Sequence, residues 1–271
     1  MLKIGKWNTL KVLRESPQGL YLGDGEEDVL LPNKYVPQNT KVEDEINVFV
    51  YKDSAQRPIA TTLKPLAELN QARLFEVRQI TNVGAFVDWG LEKELLIPFS
   101  EQTDELEVGD LIVAYVTLDP KTERIVASMH IESFLEAGSG DLKEGQEVDL
   151  LIYRITDLGY EVVINQQYKG LVYENTVFDP LDIGMEGKGK IKSIRADGKM
   201  DVQWKIEKEE KQKEILELLR DHNGFMPYHD KSKPDEIYDM FGLSKKEFKR
   251  QIGHLYKEKK IQIKVDGIYL V

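Results

Sequence analysis

The chain reads as mainly β, three small five-stranded barrels in tandem followed by a helical module that closes with a hairpin, and three observations lead there. Short apolar runs rich in Val, Ile, Phe, Tyr and Trp recur at close spacing, the same order of signals appears three times, and the pattern then changes to helical periodicity. Antiparallel strands this short need closure or covering to hide their edges, which favours barrels over open sheets.

The stretch 74–128 gives the template. LFEVRQIT, GAFVDWG and ELLIPFS supply three runs, an acidic connector follows, and VGDLIVAYVTLD and RIVAS supply two more. Residues 1–63 repeat that order. Gly19 precedes Leu20, Tyr21 and Leu22 as Gly84 precedes Ala85, Phe86 and Val87, and LLPNKYVP at 30–37 stands where LLIPFS stands at 95–100. VEDEI at 42–46 matches VGDLI at 108–112, each opening a longer strand that ends at Asp53 or Asp119. Arg57 and Arg124 come just before the final short run.

After Ser128 a polar, glycine-containing connector gives way to a third cycle. EVDLLIYRIT, LGYEVVIN and GLVYEN lead through a long connector to GKGKIKSIRADGKMDVQW, where Asp197-Gly198 marks a hairpin turn. The tail is different in kind. Residues 209–222 place Ile215, Leu216, Leu218 and Leu219 on an amphipathic helix stopped by Asn223-Gly224. Pro234 opens a short helix bearing Ile237, Tyr238 and Phe241 and ended by Gly242. Ser244 and Glu247 form a capping box for a third helix through Lys259, with Phe248, Ile252, Leu255 and Tyr256 inward. IQIKV, Asp266-Gly267 and IYLV complete a two-stranded hairpin, and this order is that of a winged helix-turn-helix. The expected divisions are therefore 1–63, 64–137, 138–208 and 209–271.

Composition limits the functions. The formal charge of −11 over 271 residues argues against gripping nucleic acid through bulk charge. That acidity is concentrated in 64–137, with 6 basic residues against 14 acidic, while the tail holds 13 against 12. No cysteine is present, so disulfides, thiolate nucleophiles and sulfur-built zinc sites are excluded. No Walker-type loop, HExxH spacing or nucleophile elbow occurs, so no catalytic residue, metal ligand or cofactor is assigned. Apolar runs are too short to span a membrane and MLKIGKWNTLKVL lacks a secretory apolar core, so the default expectation is a cytoplasmic monomer.

A five-stranded barrel of this kind presents one broad face around its second and third strands, where aromatics stack bases and cations meet phosphate. The candidates there are Tyr21, Asp53 and Arg57 in the first repeat, and Phe86, Asp119 and Arg124 in the second, each aspartate able to orient its arginine. The third repeat offers Tyr160, Tyr173, Arg195 and Lys199 beside the run Lys188, Lys190 and Lys192, and with the best ratio of aromatics to cations it is expected to contribute most. Each has a structural alternative: core burial for the aromatics, surface ion pairs for the arginines, a solvated strand for the lysines. Trp7, Trp89 and Trp204 are read as packing residues. In the tail, Lys245, Lys246, Lys249 and Arg250 form a basic patch open to nucleic acid or to solvent.

VRQITNVGAFVDWG followed by ELLIPFSE, VGDLIVAYV and the Asp119, Arg124, Ile125, Ser128 ending resembles the S1 RNA-binding domain, of the oligonucleotide/oligosaccharide-binding (OB-fold) barrel class. With three such barrels and a winged-helix tail, and with phrases such as LLPNKYVP, GLVYEN and KIKSIRADGKMDV, the whole chain resembles the conserved virulence factor B family of bacterial S1-containing regulators. The resemblance implies a non-enzymatic RNA-binding regulator of gene expression whose ligand is single-stranded RNA. A protein-interaction or ribosome-associated adaptor is the first alternative and a duplex-DNA-binding transcriptional regulator the second.

Against the S1 pattern of two strand-2 aromatics, a histidine and an Asp/Arg pair, Val83 replaces the first aromatic and Pro98 the histidine in the second repeat. In the third, Leu158 and Glu161 replace the aromatics while Tyr173 and Lys199 take the histidine and arginine positions. Pro32 stands at the histidine position of the first. No copy is complete, which implies individually weak sites acting together on one chain.

Overall fold

The computed structural model describes residues 2–23, 25–136, 138, 140–177, 180–205 and 208–271. Backbone contacts divide it into two compact units, Met1–Trp204 and Lys205–Val271.

The first unit holds three five-stranded β elements. In the first, β1 (Lys6–Ser16), β2 (Gly19–Gly23), β3 (Asp28–Pro32), β4 (Glu45–Lys52) and β5 (Pro58–Thr61) close in the order β1-β2-β3-β5-β4. The second comprises β6 (Ala72–Thr81), β7 (Gly84–Val87), β8 (Leu95–Pro98), β9 (Leu111–Leu118) and β10 (Ile125–Ser128) in the same topological order, as a five-stranded sheet with β8 and β10 at its edges. Closure by hydrogen bonding, expected of every copy, is thus a property of the first and third copies. The third is a closed barrel of β11 (Glu147–Thr156), β12 (Gly159–Ile164), β13 (Tyr168–Tyr173), β14 (Glu186–Ile194) and β15 (Met200–Lys205).

Two local devices recur in all three copies and explain the common shape. The first strand carries a bulge, between Val12 and Arg14, Val77 and Gln79, and Ile152 and Arg154. A bulge bends the strand and sharpens its twist, which a small barrel requires to close. The turn that follows is pinned by a hydroxyl. Ser16, Thr81 and Thr156 donate to the carbonyls of Gly19, Gly84 and Gly159 at 2.9, 3.0 and 2.9 Å. These glycines have φ of +152°, +143° and +138°, and a Cβ on any of them would meet a carbonyl oxygen of the third strand at 2.0–2.2 Å. Only glycine fits there.

Inward residues of alternate strand positions fill each core, Val12, Leu22, Leu31 and Val48 in the first, Val77, Val87, Ile97 and Val116 in the second, Ile152, Val162, Val172 and Ile191 in the third. The copies are also joined to one another by buried side chains. Phe49 and Tyr51 of β4 pack into the same cluster as Trp89 of the second copy. Trp7, Phe49 and Trp89 form a chain of edge-on rings with centroids 5.9 and 5.6 Å apart. The Trp89 indole donates to the Ala67 carbonyl at 2.7 Å, and burial pushes the Tyr51 phenol up to about 12.

At the second junction Ala72, Val113, Tyr115 and Ile131 share a cluster with Leu151 and Val163, and Tyr115 stacks on Phe134 at 4.6 Å. Thin individual cores thereby support one another. Trp7 and Trp89 are packing residues, as expected, and Trp204 packs against the core of the third barrel.

The second unit is α1 (Lys208–Asp221), β16 (Phe225–Met226), α2 (Pro234–Phe241), α3 (Lys245–Lys257), β17 (Ile261–Lys264) and β18 (Gly267–Leu270), a winged helix. The expected hairpin gains a third strand, since Phe225 and Met226 pair with Tyr269 and Ile268 to give the order β16-β18-β17. Gly242 ends α2 in the left-handed region, φ +63°, its N–H bonding the Tyr238 carbonyl. Phe248, Ile252 and Leu255 are buried, but Tyr256 points to solvent and so leaves the expected core, and Tyr238 on α2 is exposed as well. A helix of this length buries a stripe about 100° wide, and both tyrosines lie outside it. The Glu247 side chain of the expected capping box lies outside the described residues.

Candidate nucleic-acid interface

The strand registers align the outer faces of the three copies position by position. Across the first barrel Arg14 faces Tyr21, which faces Leu30. In the second copy the corresponding row is Gln79, Phe86, Leu96. In the third it is Arg154, Glu161, Leu171. One aromatic position, central on the second strand, is thus Tyr, Phe and Glu in turn.

On the first barrel the Arg14 guanidinium lies 3.8 Å from the Tyr21 ring centroid and is also held by Asp28 at 2.6 Å. Such cation–π contacts contribute about 0.5–1 kcal/mol at exposed sites and fix the ring's orientation. Tyr21 remains half-exposed, with an apolar neighbour in Leu30. Arg14 was not among the expected site residues. Alternation along β1 places it off the face, and the bulge between Val12 and Arg14 rotates it back.

At the β4–β5 turn the Arg57 Nε and Nη2 donate to Asp53 Oδ2 at 3.0 and 2.8 Å. The Arg57 N–H and, against opposing burial, its guanidinium hold the Asp53 carboxyl below the ordinary range. Asp53 therefore orients Arg57 as expected of the pair, and the Arg57 side chain is 77% exposed.

The second copy presents half-exposed Phe86 beside Gln79 and Leu96. Its Asp119 does not do what the sequence implied. The carboxylate accepts the N–H groups of Lys121 and Thr122 at 2.7 and 2.9 Å, which hold it below the ordinary carboxylate range, and among the described residues it forms no ion pair with Arg124. The turn is one residue longer than in the first copy, with Glu123 at φ +53°, and closes on itself through the backbone of Asp119 and Arg124. Arg124 is exposed, and among the described residues no carboxylate forms an ion pair with it.

At the junction of these two copies Lys93 donates to the carbonyls of Lys52 and Asp53 at 2.9 and 3.1 Å, and Lys52 to that of Glu123 at 3.3 Å. Burial holds the Lys93 ammonium below its ordinary range, with Arg124 and Lys52 adding to the effect. The turns carrying Arg57 and Arg124 are therefore tied through one lysine-rich junction, a convergence that no spacing in the sequence announces.

The third barrel departs most from expectation. Tyr160 is 5% exposed and its hydroxyl accepts the Leu181 N–H at 3.2 Å, so its ring belongs to the core and is withdrawn from the stacking set. The residue after the pinned glycine points inward in each copy, as Leu20 and Ala85 also do.

Glu161 occupies the aromatic position, with its side chain 15% exposed, and is paired with Lys169 at 2.8 Å and with Arg154. Burial pushes its pKa up, but the two cations outweigh that and hold it below the ordinary value. Arg195, by backbone pairing with Lys199, stands where Asp53 and Asp119 stand. Its guanidinium bonds Asp201 Oδ1 and the Tyr173 hydroxyl, each at 2.5 Å, and Lys199 pairs with Asp197 at 3.3 Å.

Lys188, Lys190 and Lys192 are exposed on β14, with Lys188 paired to Asp149 on β11. In the closed strand order β14 lies between β15 and β11, two strands from β12 and from β13, so these lysines lie off the β12–β13 face.

In the winged helix Lys246 and Lys249 are exposed, and Lys245 is half-buried and reaches the Lys231 carbonyl at 3.4 Å. Arg250 is half-buried, and desolvation holds its guanidinium below the ordinary range. The expected patch of four cations is thus an exposed pair flanked by two partly covered residues. Among the described residues no cluster of His, Asp and Glu could hold a metal ion, and no helix is long and apolar enough to cross a membrane.

Comparison with known proteins agrees with this architecture at both ends. Residues 4–63 match the S1 domain model and residues 213–270 the CvfB-like winged helix domain model. The uncharacterized protein YitL of Bacillus subtilis is 28% identical over 277 residues, which span 96% of this chain and 91% of that protein. Conserved virulence factor B of Staphylococcus epidermidis is 28% identical over 264 residues, 93% of this chain and 89% of the relative. Its Staphylococcus aureus counterpart is 25% identical over 264 residues, 93% and 88% of the respective chains.

A crystal structure of a multidomain protein with nucleic acid binding domains from Streptococcus pneumoniae aligns over 99% of this chain and 98% of that one, at 22% identity and a TM-score of 0.42. S1 barrels and winged helices are binding folds, and the chain pairs the two types. Over nearly its whole length, with an S1 domain first and a CvfB-like winged helix last, the chain is similar to the conserved virulence factor B proteins, as its sequence pattern implies.

Proposed function

We propose that the protein is a non-enzymatic regulator of gene expression that binds single-stranded RNA across the outer faces of its first two β copies. The observation that carries this reading is the shared central position on the second strand, Tyr21 braced by Arg14 and the half-exposed Phe86, each followed across the sheet by a leucine. Aromatic side chains at such positions stack bases with about 1–3 kcal/mol per base, largely irrespective of sequence.

Arg57, Arg124 and the lysine-rich junction between them supply cations for the backbone, and two weak sites on one chain reinforce each other when an RNA reaches both. The division at residues 63, 137 and 208 would make these faces the property of two adjoining domains. The site set is accordingly Tyr21, Arg14, Arg57, Phe86 and Arg124, with weight moved from the third barrel to the first two.

Titration of labelled single-stranded RNA of about 10–20 nucleotides against the full chain at several salt concentrations tests this. Micromolar or tighter binding with a modest salt slope is expected, and absence of binding at low salt would remove the proposal. Duplex DNA in parallel tests the winged-helix alternative, for which the exposed pair Lys246 and Lys249 speaks.

A further inference from the structure

The outer face of the third barrel is a hollow rather than an open platform. The chain between the second and third copies runs beside it, Glu136 bridging to Tyr168 in parallel fashion and donating its N–H to the Gln167 carbonyl at 2.8 Å. Between that segment and the strands lies a cavity of about 690 Å³. Its apolar surface comes from Leu135, Leu158, Leu171 and Met200, and Leu158 is 66% exposed at the rim.

Its charged lining is asymmetric. Six carboxylates, Glu132, Glu136, Asp157, Glu161, Asp197 and Asp201, face three lining cations, and Arg154 beside them pairs with Glu132 and Glu161, which leaves the acids in excess. Each of those cations is already matched: Lys169 with Glu161 and Glu132, Arg195 with Asp201, Lys199 with Asp197. A phosphodiester entering here would meet a net negative lining and would have to break existing ion pairs to find a donor. A guanidinium or ammonium meets carboxylates in excess, and its aliphatic stem meets leucine.

We propose that this hollow is a docking site for a short basic and apolar segment of a partner protein, one that alternates Arg or Lys with Leu-like residues. The aromatic position of the first two copies is Glu161 here, so the fold position that would stack a base there carries a carboxylate held by Lys169 and Arg154. Leu158, just before the pinned Gly159, takes the apolar residue of the guest, and Glu136 and Asp157 on the rim take its positive ends. The segment binds by charge complementarity, which a phosphodiester chain lacks here, and by covering exposed leucine.

The test uses the full chain and a labelled twelve-residue peptide alternating Arg and Leu, with an Arg/Ser peptide of equal charge and a single-stranded RNA as companions. The double variant Leu158→Ser with Asp157→Asn alters only exposed rim positions. The expected result is that the Arg/Leu peptide binds at least fivefold more tightly than the Arg/Ser peptide. The variant should weaken the Arg/Leu peptide at least fivefold and change RNA affinity less than twofold. Equal binding of the two peptides, or an Arg/Leu affinity untouched by the variant, would overturn the proposal. So would a parallel loss of RNA and peptide binding, because it would place RNA in the hollow. Tyr21→Ala serves as the separating control: it should lower RNA affinity and leave the peptide unaffected, so failure of the RNA reading and failure of this one are distinguishable.

Discussion

The first and third barrels share topology, bulge, pinned turn and core pattern, yet their equivalent faces have opposite chemistry. At one strand position the first presents Tyr21 under a guanidinium, and the third presents Glu161 between two cations. At the turn after the fourth strand the first places an acid where the third places Arg195. The difference teaches that the scaffold fixes where a ligand would lie, while a handful of outward residues decides which ligand. Those residues are free to diverge because they hold nothing in the core.

The largest expected effect comes from removing both aromatics of the first two copies. Tyr21→Ala with Phe86→Ala should reduce affinity for single-stranded RNA by roughly a hundredfold, since each stacked base contributes about 1–3 kcal/mol. Fluorescence anisotropy of the full chain reads this, with circular dichroism to verify the fold. Arg14→Ala should cost RNA affinity less, a few-fold, because it loosens the ring without removing it. An equal loss for Arg14→Ala and Tyr21→Ala would mean that the guanidinium itself is the principal contact.

Acid sharpens the contrast from the other side. Glu161 and Asp201 are held below their ordinary values of 4.5 and 3.8, burial opposing and the paired cations prevailing. Groups depressed in the folded state stabilise it fully above their unfolded pKa, and that contribution is lost as pH falls through the folded value. The unit 1–204 should therefore lose thermal stability progressively below about pH 4.5. Glu161→Gln should be less stable than the parent at pH 7, and the two should converge as acid protonates Glu161 in the folded state. A constant difference across that range would show that the ion pairs contribute nothing.

The smallest effect is assigned to the lysines of β14. Replacing Lys188, Lys190 and Lys192 by Ser should weaken RNA binding less than threefold at moderate salt and flatten the salt dependence slightly, because they lie beyond the β12–β13 face. A larger loss than that of Phe86→Ala would return the main site to the third barrel.

Much of the fold is legible in the sequence because repetition amplifies weak signals. The pinned glycines 19, 84 and 159 stand at a fixed place in each cycle, and Asp53/Arg57 follows from an acid, a turn and a base. The winged helix announces itself through Asn223-Gly224, Pro234, Gly242 and Asp266-Gly267. What is not legible depends on which way a side chain points or on which segments meet. Tyr160 and Glu161 are neighbours, and only the register places the tyrosine inside and the glutamate outside. Arg14 reaches the face through a bulge, Asp119 is captured by its own turn, and Lys93 meets Lys52 across a junction of two copies. The third copy's hollow owes one wall to the preceding connector, which no pattern within the repeat could reveal.

The most direct test of the central claim is zero-length ultraviolet cross-linking of the full chain to a uridine-rich single-stranded RNA, with adducts mapped by mass spectrometry. The account predicts adducts on the peptides that contain Tyr21 and Phe86 and none on the peptides spanning Tyr173 to Lys199. Adducts concentrated on that third-barrel stretch, with the first two copies unmodified, would contradict it.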